Sequence, residues 1–201
     1  MIVLDVEGTG LDPQKHSIVS IGALDLDDPT NQFYEECQVW DGAEIEDAAL
    51  MVNGFAREEI TGQGTRKQTE AELIASFVTW AMDRPKDRTL AAQNVTFDRL
   101  FVEAACRRAG IECPFAHRTL DVHSLVWLHM VSNGKVPPTK NAHSGIDLGF
   151  ALNYAGLPEE PRPHNALTGA FCHAEVISRI AYTKKLLPDF SDFDIPWETN
   201  R

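Results

Sequence analysis

The sequence predicts an α/β domain on a mixed sheet. Three strand-like runs come first, and helical and strand-like segments then alternate, which is the pattern of strands covered by helices. The chain has 201 residues, 43% of them hydrophobic, enough for one compact domain with a sizeable core. No stretch approaches the apolar length of a membrane span.

The elements follow in order. Residues 1–6 read as a strand, residues 17–26 (SIVSIGALDL) alternate and read as a second, and residues 32–40 read as a third. The links are short and carry Gly10, Pro13, Asp28 and Pro29, which suits an antiparallel meander. A short helix is expected over 43–52. Thr69 and Glu72 form a capping box that opens a helix to about Asp83, with Leu73, Phe77 and Trp80 on one face. Residues 88–93 (RTLAAQ) read as a short buried strand. The next helix runs from about Thr96 to Ala109, with Phe97, Leu100, Phe101, Ala104 and Ala105 at helical spacing and Gly110 as its C′ residue. A strand near 119–122 and a helix near 123–131 come next. The segment 132–141 (SNGKVPPTKN) is the best candidate for a mobile loop. Ser144 is expected to cap a helix that ends at Gly156. The last helix spans about 165–182, with Ala166, Ala170, Ala174, Ile177 and Ala181 inward. Residues 1–183 are taken as the domain and 184–201 as a C-terminal tail.

The formal net charge is −12. That argues against sequence-blind duplex binding, which relies on Lys and Arg. It leaves room for an enzyme that grips a few nucleotides through metal ions. Cys37, Cys106, Cys113 and Cys172 are scattered without zinc-like spacing, and the chain opens without a secretion signal. Reduced thiols and a cytoplasmic location are expected.

Asp5 and Glu7 lie two apart on a strand, so both carboxylates face one side. Close like charges raise one pKa unless a cation intervenes, and Mg2+ or Mn2+ is the natural hard cation. Taken alone, the pair is also compatible with two solvated acids at a strand end. Gly8-Thr9-Gly10 follows and lets backbone approach a ligand; an ordinary turn has the same composition. Asn94, Phe97 and Asp98 sit at a strand–helix junction, where the helix dipole also favours Asp98 on structural grounds. His164 stands before the last helix, where a neutral imidazole can take a proton from water or simply begin a helix. The opening DxEGTG resembles the DxDGT signature of haloacid-dehalogenase phosphatases. The second acid is Glu, however, and no later strand ends in the paired acids that family uses.

Taken in order, Asp5-x-Glu7, Asn94-x-x-Phe97-Asp98 and His164-Asn165-Ala166 resemble the three motifs of the DEDDh 3′–5′ exonucleases, which are similar to the proofreading subunit of the bacterial replicative polymerase and to ribonuclease T. The resemblance covers about residues 1–183. It implies a ribonuclease H-like fold and two-metal phosphodiester hydrolysis with Mg2+ or Mn2+. By resemblance, Asp5 bridges both ions, Glu7 holds the ion carrying the nucleophilic water, Asp98 holds the second, and His164 is the general base. Gly8, Thr9, Gly10 and Leu11 would cradle the terminal nucleotide with Leu11 as a wedge, and Asn94 and Phe97 would shape the pocket. The implied partners are single-stranded DNA or RNA 3′ ends, with a polymerase or a second copy of the chain as a further possibility and no membrane.

One position departs. The last motif runs His, four residues, Asp, whereas His164 leads to Gly169. The fourth metal carboxylate is missing there, and Asp147, His173 and Glu175 are the candidates to replace it. A severely impaired exonuclease is expected, to be rescued by an acid at 169 with little structural cost. The alternative is a non-catalytic module that holds nucleic-acid ends or a partner.

Overall fold

The computed structural model describes residues 1–62, 67–84 and 87–198. In chain order its strands and helices are β1 (Ile2–Gly8), β2 (Ile18–Asp25), β3 (Asp28–Gln38), α1 (Asp47–Asn53), α2 (Arg57–Ile60), β4 (Gln68–Thr69), α3 (Glu70–Met82), β5 (Leu90–Ala92), α4 (Thr96–Ala109), β6 (Thr119–Asp121), α5 (Val122–Ser132), β7 (Thr139–Lys140), β8 (His143–Ser144), α6 (Leu148–Tyr154) and α7 (Ala166–Tyr182). The main sheet runs β4-β3-β2-β1-β5-β6. β1, β2 and β3 form an antiparallel meander, and β5 and β6 add in parallel on the other side of β1. This is the mixed, ribonuclease H-like sheet that the resemblance implies.

Helices cover both faces. Leu73, Phe77, Phe101 and Val102 from α3 and α4 close one core over Ile2, Leu4 and Val6. Val126, Leu152, Ala170 and Ile177 from α5, α6 and α7 close the other over Val3, Leu24 and Ala91. Because β2 lies between these layers, all of its residues are buried. Its apparent alternation is therefore not a solvent alternation, as a strand covered on both faces has no wet side.

The Thr69–Glu72 capping box forms as expected, and Gly110 ends α4 in the left-handed region. Several side chains depart from expectation. Leu100 is 40% exposed, because α3 and β1 cover the Phe101–Val102–Ala105 side of α4. Burial along α7 stops near Arg179, so Ala181 lies on the surface rather than inward. Asp147, not Ser144, caps α6, its Oδ1 accepting from the Phe150 amide at 2.8 Å. Ser144 instead meets His123 Nε2 at 2.8 Å. The segment expected to be a loop ends in the small β7–β8 hairpin.

Beyond α7 the chain turns back onto the domain. Arg179, fully buried, donates to Glu175 and to the carbonyls of Ala155, Phe190, Phe193 and Asp194. Leu187 and Ile195 are buried beside it. Residues 199–201 of the expected tail lie outside the described residues. All four cysteines are free, and no helix among the described residues is long and apolar enough to cross a membrane.

Candidate active site

β1 ends in the site. Asp5 and Glu7 both line a cleft of about 520 Å³, so the two-residue spacing does place them on one face. Asp98, in the first turn of α4, is buried and its Oδ1 accepts from the Val6 amide at 3.0 Å. That bond fixes the third acid beside the other two. Burial, then the charges of Asp98, Glu7 and Glu160, push Asp5 well above the ordinary carboxylate range. Burial and Glu160 push Glu7 up to about 7. Burial, then Glu7 and Asp121, raise Asp98, although the Val6 amide opposes the shift.

The second wall is the start of α7. Asn165 caps it, its Oδ1 accepting from the Leu167 and Thr168 amides, while its Nδ2 donates to Tyr34 Oη at 2.9 Å. The His164 amide donates to the Val52 carbonyl at 3.0 Å, tying this loop to α1. The His164 imidazole reaches the same cleft as Asp5 and Glu7. Two glycines bring α7 this close. Gly22 on β2 pairs with Asp5 across the strands, and a Cβ there would overlap the backbone of Ala166 and Leu167. A Cβ at Gly169 would overlap the Asp5 carboxylate, standing 2.7 Å from its Cγ. Side-chain space at 169 is thus taken by the Asp5 carboxylate, so a side chain placed there requires that carboxylate to shift.

Of the three candidates to replace the missing acid, Glu175 is committed elsewhere. It pairs with Arg179 and accepts from the Leu186 and Leu187 amides. Asp147 lines the cleft but caps α6. His173 lines the cleft and is buried, with Nδ1 3.0 Å from the Leu4 carbonyl. A carbonyl only accepts, so Nδ1 carries the hydrogen; burial holds this imidazole down to about 4. Sequence reasoning missed Glu160. It lines the cleft with a side chain 8% exposed. Nothing in its loop, LPEEPRP, has a period that would have singled it out. Also missed was Asp121, whose carboxylate receives the amides of Val95 and His123 and so joins the Asn94 turn to α5.

The glycine loop after β1 forms a second recess of about 300 Å³, walled by Glu7, Gly8, Gly10, Leu11, Val52 and Phe97. Leu11 is 77% exposed at its rim. Thr9 does not face this space: it is fully buried, its hydroxyl donating to the Glu44 carbonyl and accepting from the Ser17 amide. Asn53 Nδ2 donates to the Gly8 carbonyl at 3.1 Å, fixing the loop against α1. Asn94 adopts a positive φ of 55° and lines a separate neighbouring hollow with Gln93 and Asp121. Glu7 is therefore shared between the polar cleft and the apolar recess, and Phe97 belongs to the recess alone.

Hard carboxylate oxygens crowded together suit Mg2+ or Mn2+. Among the described residues no three His, Cys, Asp or Glu side chains stand together closely enough, as they lie, to hold a metal ion. Asp5 and Glu7 line the cleft while Asp98 is buried and does not, and the mutual repulsion of the three is the feature that a cation would relieve. Glu160 Oε1 is enclosed and has no hydrogen-bond partner. The donor types, though not their present spacing, suit the ions the resemblance implies.

The chain matches an exonuclease family model, RNase_T, over residues 2–176. No curated protein sequence matches it. Among solved structures, the nuclease domain of 3′hExo, a DEDDh family member bound to rAMP, superposes with a TM-score of 0.68 at 17% identity over 92% of this chain and 93% of that one. Cell-death related nuclease 4 (CRN-4) gives 0.70 at 14% identity over 92% and 64%. E. coli exonuclease I in complex with a dT13 oligonucleotide gives 0.65 at 14% identity over 89% and 40%. The chain thus spans less than two thirds of the length of the last two. The ordered motifs, the sheet on which they stand and a family match over most of the chain lead to one assignment: this protein belongs to the RNase_T exonuclease family.

Proposed function

We propose that this chain is a metal-dependent exonuclease that hydrolyses phosphodiester bonds at single-stranded 3′ ends and releases 5′-mononucleotides. The observation that carries this reading is the shared position of Glu7, between a cleft holding Asp5 and His164 and a recess shaped by Gly8, Gly10, Leu11 and Phe97. A terminal base in the recess would set its phosphate at the acids. Asp5, Glu7 and Asp98 would hold Mg2+ or Mn2+, which supplies charge stabilisation of the attacking water and the leaving oxygen. His164 takes the proton from that water. Its Nδ1 edge faces Glu160 at 3.7 Å, which leaves Nε2 as the base. Leu11 wedges against the terminal base, and the Gly8 and Gly10 backbone allows close approach to the sugar. The neighbours bound to rAMP and to oligonucleotides support a substrate of this kind.

Gly169 is expected to lower turnover by removing one acid from α7. It also favours a second reading, a non-catalytic module that holds nucleic-acid ends or a partner. Incubation of matched DNA and RNA oligomers with Mg2+, with Mn2+ and with EDTA tests both. Metal-dependent release of 5′-mononucleotides from 3′ ends is the expected result. Binding of the oligomers without turnover in either metal would replace the enzyme reading with the module.

A further inference from the structure

We infer that Glu160 is a carboxylate ligand for the divalent cation of this cleft, supplying from the loop before His164 the acid that α7 lacks at position 169. The inference rests on the exonuclease reading for the cation's role, but stands on separate observations.

First, the Glu160 side chain is 8% exposed and lines the cleft, yet its Oε1 is enclosed with no donor. Buried polar atoms are nearly always paired. An enclosed carboxylate oxygen with no donor, on a side chain that lines the cleft holding Asp5 and Glu7, has the surroundings of a ligand whose partner is a cation. Second, the positive groups beside Glu160 are His164, an ion-pair partner only when its ring is protonated, and Arg162. The His164 Nδ1 at 3.7 Å is beyond hydrogen-bond distance, and Arg162 is exposed. Third, α7 carries no acid at position 169, and the Asp5 carboxylate stands in the volume that a Cβ there would take. Glu160 lies four residues before His164 and lines the same cleft.

Titration of the full chain with Mn2+, followed by calorimetry and by the electron paramagnetic resonance of free Mn2+, tests this without requiring turnover. Glu160→Gln is close in shape and removes a buried charge, so its metal-free melting temperature should stay level or rise. Its Mn2+ affinity should fall at least tenfold. Glu160→Asp keeps the charge but shortens the reach, and should also weaken binding. Wild-type Mn2+ affinity in either Glu160 variant would overturn the inference. Loss of binding in His173→Gln but not in Glu160→Gln would overturn it too and place the ligand on α7. The exonuclease reading is judged apart. Glu160-dependent Mn2+ binding with no turnover on DNA or RNA leaves the ligand and removes the activity, whereas turnover and affinity both indifferent to Glu160 do the reverse.

Discussion

The Asp5 carboxylate occupies the volume that a side chain at Gly169 would fill. Position 169 is therefore coupled to Asp5, one of the acids proposed to hold the cation. Alanine there should gain helix propensity of about 1 kcal/mol over glycine while pushing Asp5 out of place. Gly169→Ala is expected to melt within a few degrees of wild type and to lose at least about tenfold in Mn2+ affinity. Gly169→Asp alone should not raise exonuclease turnover by orders of magnitude, in contrast to the expectation from sequence, because the new acid displaces Asp5. Steady-state rates on single-stranded oligomers check this; a hundredfold gain would show that Asp5 moves aside without loss.

The proton acceptor can be isolated from the metal site. His164→Ala should lower turnover by about 10²–10⁴-fold and leave Mn2+ affinity within threefold of wild type, because the imidazole acts on water. Single-turnover rates at saturating metal measure it. An unchanged rate would assign the proton transfer to another group.

A pH effect follows from His173. Its ordinary value of 6.5 is held down to about 4 by burial, so the folded state favours the neutral ring. A lowered folded-state pKa gives stability that is fully present above about 6.5 and is lost as pH falls through about 4. The buried acids work in the opposite direction, so the comparison must be with a variant. His173→Gln keeps a donor for the Leu4 carbonyl. Between pH 6.5 and 4 the wild-type melting temperature should fall more than that of His173→Gln. Parallel curves would remove His173 as the cause.

Gly22 sets the distance between α7 and the sheet. Gly22→Ala forces the Ala166–Leu167 backbone outward, and overpacking of this kind costs about 1–3 kcal/mol. A lower urea midpoint with an unchanged slope is expected, together with reduced turnover, because His164 and Gly169 move with the helix. A variant as stable and as active as wild type would contradict the close approach.

Much of the site was legible because its chemistry is local. Asp5 and Glu7 share a face by strand period, and Asp98 and His164 stand at the starts of helices that the spacing predicts. Asp5 and Gly169 belong to motifs 164 positions apart, and only their order suggested that they meet. What the sequence hid depends on paths and clearances. Glu160 sits in a proline-rich loop with no period, and its aim is set by where that loop crosses the cleft. Gly22 looked like any small residue in a strand, although its missing Cβ is what admits α7. Thr9 fell within a motif and was assigned to substrate, but its hydroxyl is spent on Glu44 and Ser17. The double burial of β2 is likewise a property of layers that one strand cannot display.

Arg179 reaches the returning chain entirely through carbonyl oxygens, those of Phe190, Phe193 and Asp194, with Ala155 from the end of α6. Every residue type carries a carbonyl, so this anchor recognises the route of the segment and is blind to its letters. Substitutions at the exposed positions of 188–194 should be absorbed, while a one-residue deletion there shifts three oxygens at once away from a guanidinium that has no water to turn to. The segment is thereby free in composition and fixed in length.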